Sequence, residues 1–286
     1  MMPVTRRLRP LIYAAEKLIQ RARYISVPEP AGGWPILLGV SFPKSGTHLL
    51  DQILLGFSRV APFARRLRSF YAEYDGASGD KRGDRAAETW VDSLRPRDVA
   101  SAHLFARPGI VERVDTGRFV PHFIYRDPRD VVVSHVFYVT DMEPKHVHHA
   151  YYRSLPDFNA RLEVSIRGRP EADVEFPGIA ERFEPYLGWL DRPGVLTIRF
   201  EDLIHDRLGT LRRIAVNFLE RVAAGLDVEQ VIRALGSSID PRRSPTFRTG
   251  TTGEWQTRFT PRHRALFKEV AGDLLTRLGY EVNGSW

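Results

Sequence analysis

Six consecutive residues, Pro43-Lys44-Ser45-Gly46-Thr47-His48, place a lysine, two hydroxyls and a glycine between a short apolar run and a stretch of helical periodicity. A loop that leaves a buried strand and opens a helix presents unpaired N–H groups and the positive end of the helix dipole. With a lysine beside it and a glycine that lets backbone approach closely, such a loop is an anion site. It is not a Walker A loop, because no Gly-Lys-Ser/Thr follows a glycine at the required spacing. Taken alone, Lys44 also fits an ordinary surface lysine, and Arg126, Asp127, Arg129 and Asp130 fit a salt-bridged helix start. The chain has nine histidines, whose ordinary titration near neutrality suits a general base, and no cysteine, which excludes a thiolate nucleophile, disulfides and Cys-ligated zinc. His146, His148 and His149 lie close together, but in a Pro/Lys-containing stretch without partner carboxylates; they read as a solvated loop or part of an acceptor lid, and no metal is expected.

The elements that would position these residues follow from periodicity. Residues 35–42 form a nearly continuous apolar run, the pattern of a strand covered on both faces, and Leu49, Leu50, Ile53, Leu54 and Phe57 recur at helical spacing after the loop. Further strands are expected at 99–104, 121–125 and 194–200, and helices at 128–138, 179–190, 208–222 and 261–278. Strands alternating with helices imply a three-layer α/β fold, a mainly parallel central sheet flanked by helices. The Gly-, Pro- and charge-rich stretches 75–85, 140–176 and 236–256 are expected as long loops over the C-terminal edge of the sheet, where such folds bind ligands.

The 286 residues, 43% of them hydrophobic, suit one large core. Ahead of it, residues 6–25 carry an apolar stripe of Leu8, Leu11, Ile12, Ala15, Leu18, Ile19, Ala22 and Ile25 among six basic residues and one acid, Glu16. This predicts a basic amphipathic helix, followed by the Pro/Gly-rich linker 27–33, so that 1–27 and 28–286 form an N-terminal helix and a single domain. The stripe suits packing on the core or on a second subunit, the commoner fate of such helices, or docking on an anionic membrane. The excess of 42 Lys and Arg over 35 Asp and Glu favours an anionic ligand or surface. That charge is scattered and forms no nucleic-acid-binding motif, so no nucleic acid is expected. The most apolar stretch, 34–42, is too short to span a bilayer, and the basic N-terminus lacks the apolar run of a secretory signal. A cytoplasmic protein, with peripheral membrane contact through 6–25 as the alternative, is the resulting expectation.

Taken together, three segments resemble the 3'-phosphoadenosine 5'-phosphosulfate (PAPS)-dependent sulfotransferase superfamily, in family order and over residues 36 to about 280. Pro43 to Thr47 is similar to its 5'-phosphosulfate loop. Phe123-Ile124-Tyr125-Arg126-Asp127-Pro128-Arg129-Asp130-Val131-Val132-Val133-Ser134 is similar to its 3'-phosphate motif, and Phe247-Arg248-Thr249-Gly250-Thr251-Thr252-Gly253-Glu254-Trp255 to the Arg-x-Gly-x-x-Gly-x-Trp loop that closes over that phosphate. The resemblance implies transfer of a sulfuryl group from PAPS to a hydroxyl or amine of a small-molecule, glycan or lipid acceptor, without a metal, releasing 3'-phosphoadenosine 5'-phosphate (PAP). It implies nucleotide contacts from Lys44, Ser45, Gly46, Thr47, His48, Leu49, Arg126, Ser134, Phe200, Arg248, Thr249 and Gly250. It also implies catalytic roles for Lys44, Ser134 and His103, the last standing in Ala100-Ser101-Ala102-His103-Leu104 as the expected base. His48 stands where relatives commonly have Thr, and Leu49 where many have a Trp that stacks on adenine. The dimerisation motif of animal cytosolic relatives is not kept: Gln256, Thr260, Pro261 and Ala265 occupy its positions. Phe105, Phe137, Tyr138, Tyr151 and Tyr152 are the candidates for an acceptor wall. The competing readings are a P-loop nucleotide kinase and a non-enzymatic basic module for membrane surfaces. If Arg126 reads a 3'-phosphate, Arg126→Ala weakens binding of the 3'-phosphorylated nucleotide by about 2 kcal/mol and leaves binding of adenosine 5'-phosphosulfate unchanged. Calorimetry with the two ligands checks this; equal losses make the arginine structural.

Overall fold

The computed structural model describes residues 4–70, 83–169 and 174–286, with side chains from residue 11 onward. After α1 (Val4–Arg23) the chain runs β1 (Ile36–Ser41), α2 (Thr47–Gly56), β2 (Leu67–Phe70), α3 (Asp84–Asp92), β3 (Val99–Ala102), α4 (Pro108–Val114), β4 (Phe119–Tyr125) and α5 (Pro128–Phe137). A π turn, Tyr138–Met142, leads into α6 (His149–Ser154), α7 (Phe158–Arg167) and α8 (Ile179–Leu187). Then follow β5 (Leu196–Arg199), α9 (Phe200–His205), α10 (Arg207–Arg221), α11 (Val228–Gly236), α12 (Trp255–Arg258), α13 (Pro261–Ala271) and α14 (Leu274–Arg277).

The five strands form one sheet in the order β2-β3-β1-β4-β5, and every pairing is parallel. β1 lies at the centre with all six residues buried, which is why its sequence is a continuous apolar run rather than an alternation. Its side chains still alternate between two cores: Ile36, Leu38 and Val40 join the core under α5, α7, α8 and α13, while Leu37 joins that under α2, α10 and α11. The expected three-layer α/β fold is therefore present. Burial of a Leu, Ile or Phe contributes roughly 2 kcal/mol, so these two cores hold the sheet's C-terminal edge in place for the loops that leave it. Local signals agree at the entry to α5, where Pro128 suits the first helical position and the Asp127 side chain caps by accepting from the Arg129 N–H at 2.9 Å.

Several expectations need correction. The stretch 140–176 is not one long loop: it contains α6 and α7, and α7 buries Leu162 and Ile166 in the core beside α5. The single helix read over 261–278 is two, α13 and α14, separated at Gly272, whose φ of 53° does not continue a helix. β2, α3, α4 and α11 were not expected. Most of the stretch 75–85 lies outside the described residues. The N-terminal helix forms, but its apolar face does not pack on the core. Tyr13, Lys17, Gln20 and Tyr24, at i, i+4, i+7 and i+11, make the contact instead, by hydrogen bonds: Tyr13 and Lys17 donate to Asp98, and Gln20 and Tyr24 to the Ser58 carbonyl.

The last residue of α2 allows a close helix contact. A Cβ on Gly56 would lie 2.8 Å from the Leu235 Cα and 3.0 Å from the Ala234 carbonyl of α11, both backbone atoms that cannot turn aside. Gly56→Ala is expected to destabilise the protein by about 2 kcal/mol, despite alanine's better helix propensity, as a fall in the urea midpoint. An unchanged or raised midpoint contradicts this packing.

Candidate active site

A cavity of about 680 Å³ opens at the C-terminal edge of the sheet. The loop after β1 forms its floor. Lys44 and Gly46 both adopt positive φ, 67° and 94°, so the backbone turns sharply into α2. A Cβ on Gly46 would lie 2.6 Å from a ring carbon of Phe200, so only glycine fits between the loop and that ring. Gly46, Thr47, His48 and Leu49 line the cavity with the opening turn of α2, where N–H groups lack intrahelical partners. Ser45 lies beneath this floor, fully buried, and its Oγ has no hydrogen-bond partner among the described residues.

Lys44, Arg126 and Arg248 crowd the cavity, with the exposed Arg207 also in its lining. Lys44 places its Nζ 3.8 Å from the centroid of the Tyr138 ring. Burial, reinforced by the Arg126 and Arg248 guanidiniums, pushes its pKa down to about 7. Arg126, at the end of β4, is buried against the Phe200 ring, with 4.7 Å from guanidinium to centroid. It donates to the Thr251 carbonyl at 2.9 Å, approaches Asp130 at 3.4 Å, and keeps a buried Nε without a partner. Arg248 pairs with Glu254 and stacks on Phe137 at 4.1 Å.

Asp130 ties these pieces together. Besides approaching Arg126, its carboxylate accepts from the Gly253 N–H at 2.7 Å and the Trp255 N–H at 3.0 Å, pinning the loop that carries Arg248, Thr249 and Gly250 to the first turn of α5. The neighbouring Arg129 does not enter the cavity. It chelates Asp127, pairs with Glu281 and lies 3.9 Å from the Trp255 ring centroid, so for this arginine the salt-bridged helix start is the right reading.

His103 follows β3 and lines the cavity. Its Nδ1 lies 2.7 Å from the Ser41 carbonyl and 3.1 Å from Ser41 Oγ, which in turn meets Thr47 Oγ1 at 2.9 Å. Donation from Nδ1–H to the carbonyl makes Nε2 the basic nitrogen. Burial holds the imidazole below its ordinary pKa, against the opposing effect of the Ser41 carbonyl, so the ring is neutral at pH 7.

The residues expected at the site are thus brought together. Ser134 and Phe200 line the cavity with the loop, the cations and His103; Ser45 alone sits behind it. The acceptor-wall candidates fare differently: Tyr138 lines the cavity, while Tyr152 is fully buried, Phe105 packs edge-on to Tyr186, Tyr151 lies under Arg169 and Phe137 under Arg248. The reading of 146–149 as a solvated loop is also overturned. His146 reaches the cavity, with its ring centroid 5.8 Å from that of Tyr138, and His148 is buried beside Phe176. Burial drives both pKa values down to about 4. Sequence reasoning missed the far wall, Ile204, Ile239, Pro241 and Ser244. A reciprocal clasp holds that wall: Gln52 donates to the Asp240 carbonyl at 2.9 Å and accepts from the Asp240 N–H at 2.6 Å. No spacing rule announces a pair 188 positions apart.

Comparison with known proteins gives the family. The model of the sulfotransferase domain matches residues 123–279, more than half of the chain. The protein belongs to the sulfotransferase family. The sulfotransferase is 21% identical over 253 residues to the 3-alpha-hydroxysteroid sulfotransferase of Cavia porcellus, covering 81% of this chain and 80% of that one. Its fold is similar to that of a mouse sulfotransferase complexed with PAP, with TM-score 0.57, 19% identity, and coverage of 88% of this chain and 86% of that chain. It is also similar to retinol dehydratase in a complex with retinol and PAP, with TM-score 0.54, 18% identity, and coverage of 91% and 85%. Among the described residues no helix is long and apolar enough to cross a membrane.

If Asp130 is the tie between α5 and the C-terminal loop, Asp130→Ala strands a buried guanidinium and two N–H groups and lowers stability by about 3 kcal/mol. Faster proteolysis within 244–253 should accompany the fall in denaturation midpoint. A variant with the parent's midpoint shows that other contacts hold the loop.

Proposed function

We propose that this sulfotransferase moves the sulfuryl group of PAPS to a hydroxyl or amine of a small-molecule acceptor, with Lys44 and His103 acting on the chemical step. The observation that carries the reading is the crowding of Lys44, Arg126 and Arg248 around one cavity, where burial first and the two guanidiniums second hold the Lys44 pKa down to about 7. Such a site favours a ligand with anionic groups at more than one point, as a nucleotide phosphorylated at 3' and 5' has. The buried, unpartnered Arg126 Nε suits the same ligand.

In this reading the opening turn of α2 holds the 5'-phosphate, and Arg126, Ser134 and Arg248 hold the 3'-phosphate. Leu49, Phe200, Ile204 and Ile239 form the apolar end of the cavity, and the adenine lies there. Leu49 gives it aliphatic contact without ring stacking. As the acceptor oxygen or nitrogen forms its bond to sulfur in line with the breaking S–O bond, His103 Nε2 takes the acceptor proton. Protonated Lys44 neutralises the charge left on the phosphate oxygen, and PAP departs. The steroid and retinol named for the two relatives are small apolar molecules, which supports a small-molecule acceptor here. The kinase alternative has no Walker A loop to hold magnesium and nucleotide.

Calorimetry with PAP and with ATP plus magnesium tests the ligand class: PAP binds and ATP does not compete, whereas tighter ATP binding overturns the proposal. Lys44→Ala and His103→Ala each lower kcat by about 100-fold or more with labelled PAPS while PAP affinity survives. Near-normal turnover in either variant removes that residue from the step.

The pKa directions set the pH profile. His103 must be neutral, so kcat/KM falls at acid pH through a value below the ordinary imidazole range. Lys44 must be protonated, so kcat/KM also falls as pH rises through about 7 in the free enzyme. Bound phosphates favour the ammonium, so the alkaline limb moves upward in kcat. Lys44→Arg removes that limb whatever rate remains. A limb that persists in this variant belongs to another group.

A further inference from the structure

The N-terminal helix is docked the opposite way round from an ordinary surface helix. At about 100° per residue, Tyr13, Lys17, Gln20 and Tyr24 share one side, and Leu11, Ala15, Leu18 and Ala22 the other, with Ile12 and Ile19 beside them. The polar side is the one in contact with the domain. Lys17 Nζ donates to Asp98 Oδ1 and to the Pro96 carbonyl, both at 2.7 Å, and Tyr13 OH donates to Asp98 at 2.9 Å. Gln20 is buried and, with Tyr24, holds the Ser58 carbonyl, while Arg66 pairs with Glu16 at 2.6 Å. Asp98 is fully buried and also accepts from the Arg95 N–H at 2.8 Å, so this attachment is a built polar socket.

The apolar side is left outside. Leu11, Leu18 and Ile19 are 68%, 67% and 66% exposed, and Ile25 87%. Of the nine large hydrophobic side chains exposed among the described residues, five lie within residues 11–25. A contiguous apolar strip on a helix whose opposite, polar side is already engaged marks a surface made for a partner. Exposed Arg21 and Arg23 stand on its two flanks. Over its whole length the helix carries six basic residues and one acid, and that acid, Glu16, is paired with Arg66. A second copy placed on this strip would bring two like-charged helices together through the same patch. An anionic surface satisfies the leucines, isoleucines and arginines at once.

We infer that residues 11–25 form a docking strip that lays this protein on an anionic lipid bilayer, with the helix in the interfacial plane and already anchored to the catalytic domain. The socket residues fix the orientation. Asp98 immediately precedes β3, and Ser58 follows α2 after it has run back from the loop at residues 43–48, so the helix sits at the N-terminal edge of the sheet. The cavity lies at the C-terminal edge. The bilayer therefore holds the protein by the end remote from its active site, and the cavity mouth faces the aqueous side.

The test is cosedimentation of the full-length protein with vesicles of phosphatidylcholine alone, or with about one third phosphatidylserine, at low and high salt. Binding to the anionic vesicles, weak on neutral ones and reduced by salt, is expected. The double substitution Leu18→Gln with Ile19→Gln alters only exposed positions and should retain the parent's melting temperature while lowering the anionic-vesicle partition constant by about tenfold or more. Arg21→Gln with Arg23→Gln should lower it several-fold and flatten the salt dependence. Absence of binding to anionic vesicles, or equal partitioning of the leucine–isoleucine variant and the parent, overturns the inference. So does a dimer in sedimentation velocity that this variant dissociates without any vesicle binding, which would assign the strip to a second copy. None of these readouts depends on the proposed reaction.

Discussion

Lys44, Arg126 and Arg248 crowd one cavity, and the rest of the site can be understood as the means of keeping them there. At an effective dielectric of about 20, two like charges several ångströms apart repel by a few kcal/mol, enough to matter against the marginal stability of a domain. The two guanidiniums are each compensated locally, Arg126 by Asp130 and the Thr251 carbonyl, and Arg248 by Glu254 and the Phe137 ring. Lys44 lies against the Tyr138 ring. An ammonium can shed its proton and a guanidinium in a protein does not, so burial, with the two guanidiniums adding to it, appears in the lysine as a depressed pKa.

Compensation of the arginines is itself built from the chain's distant parts. Asp130 belongs to the first turn of α5, yet it receives N–H groups from a loop more than 120 positions later. Asp127, three residues before it, caps the same helix and chelates Arg129, and the Asp127 N–H donates to Glu201 at 3.0 Å. Tyr280 donates to Glu201 in turn at 2.7 Å. The entry to α5 is thus a hub at which β4, α9 and the C-terminal segment meet. The alternation of Arg and Asp from 126 to 130 divides the labour, with Arg126 turned to the cavity and Arg129 to the tryptophans of the C-terminal segment.

The strand, loop and helix around residues 36–56 were legible because continuous burial, a glycine-bearing turn and helical periodicity follow one another directly. The expected site residues converge for a related reason: all but Ser134, which lies further along α5, stand at the end of a strand, at the start of the next helix or in the C-terminal loop, and a parallel sheet carries all its strand ends to one edge. What could not be read was set by partners far apart in sequence. Helices α6 and α7 hide among Pro, His and charged residues, and their burial depends on a pocket made by α5, α8 and α13. The Gln52–Asp240 clasp is invisible to any local rule. Periodicity also identified the apolar face of α1 without revealing that the domain would take the opposite one. A period says which residues share a side, and only the buried Asp98 and the Ser58 carbonyl decide which side is bound.

Ser41 shows why the loop and the histidine stay in register. It is the last residue of β1, its Oγ meets both Thr47 Oγ1 and His103 Nδ1, and its carbonyl takes the shorter contact with that imidazole nitrogen. β1 and β3 are adjacent and parallel, with Val40 opposite Ala102, so Ser41 and His103 are neighbours by strand pairing before any side chain is considered. The relative position of the anion loop and the proposed base is therefore set by backbone hydrogen bonds in the centre of a sheet. Short side chains complete it, at little entropic cost compared with a long, flexible one. An active site assembled in this way varies its acceptor wall through the surrounding helices without disturbing the distance between the base and the loop, because that distance belongs to the sheet.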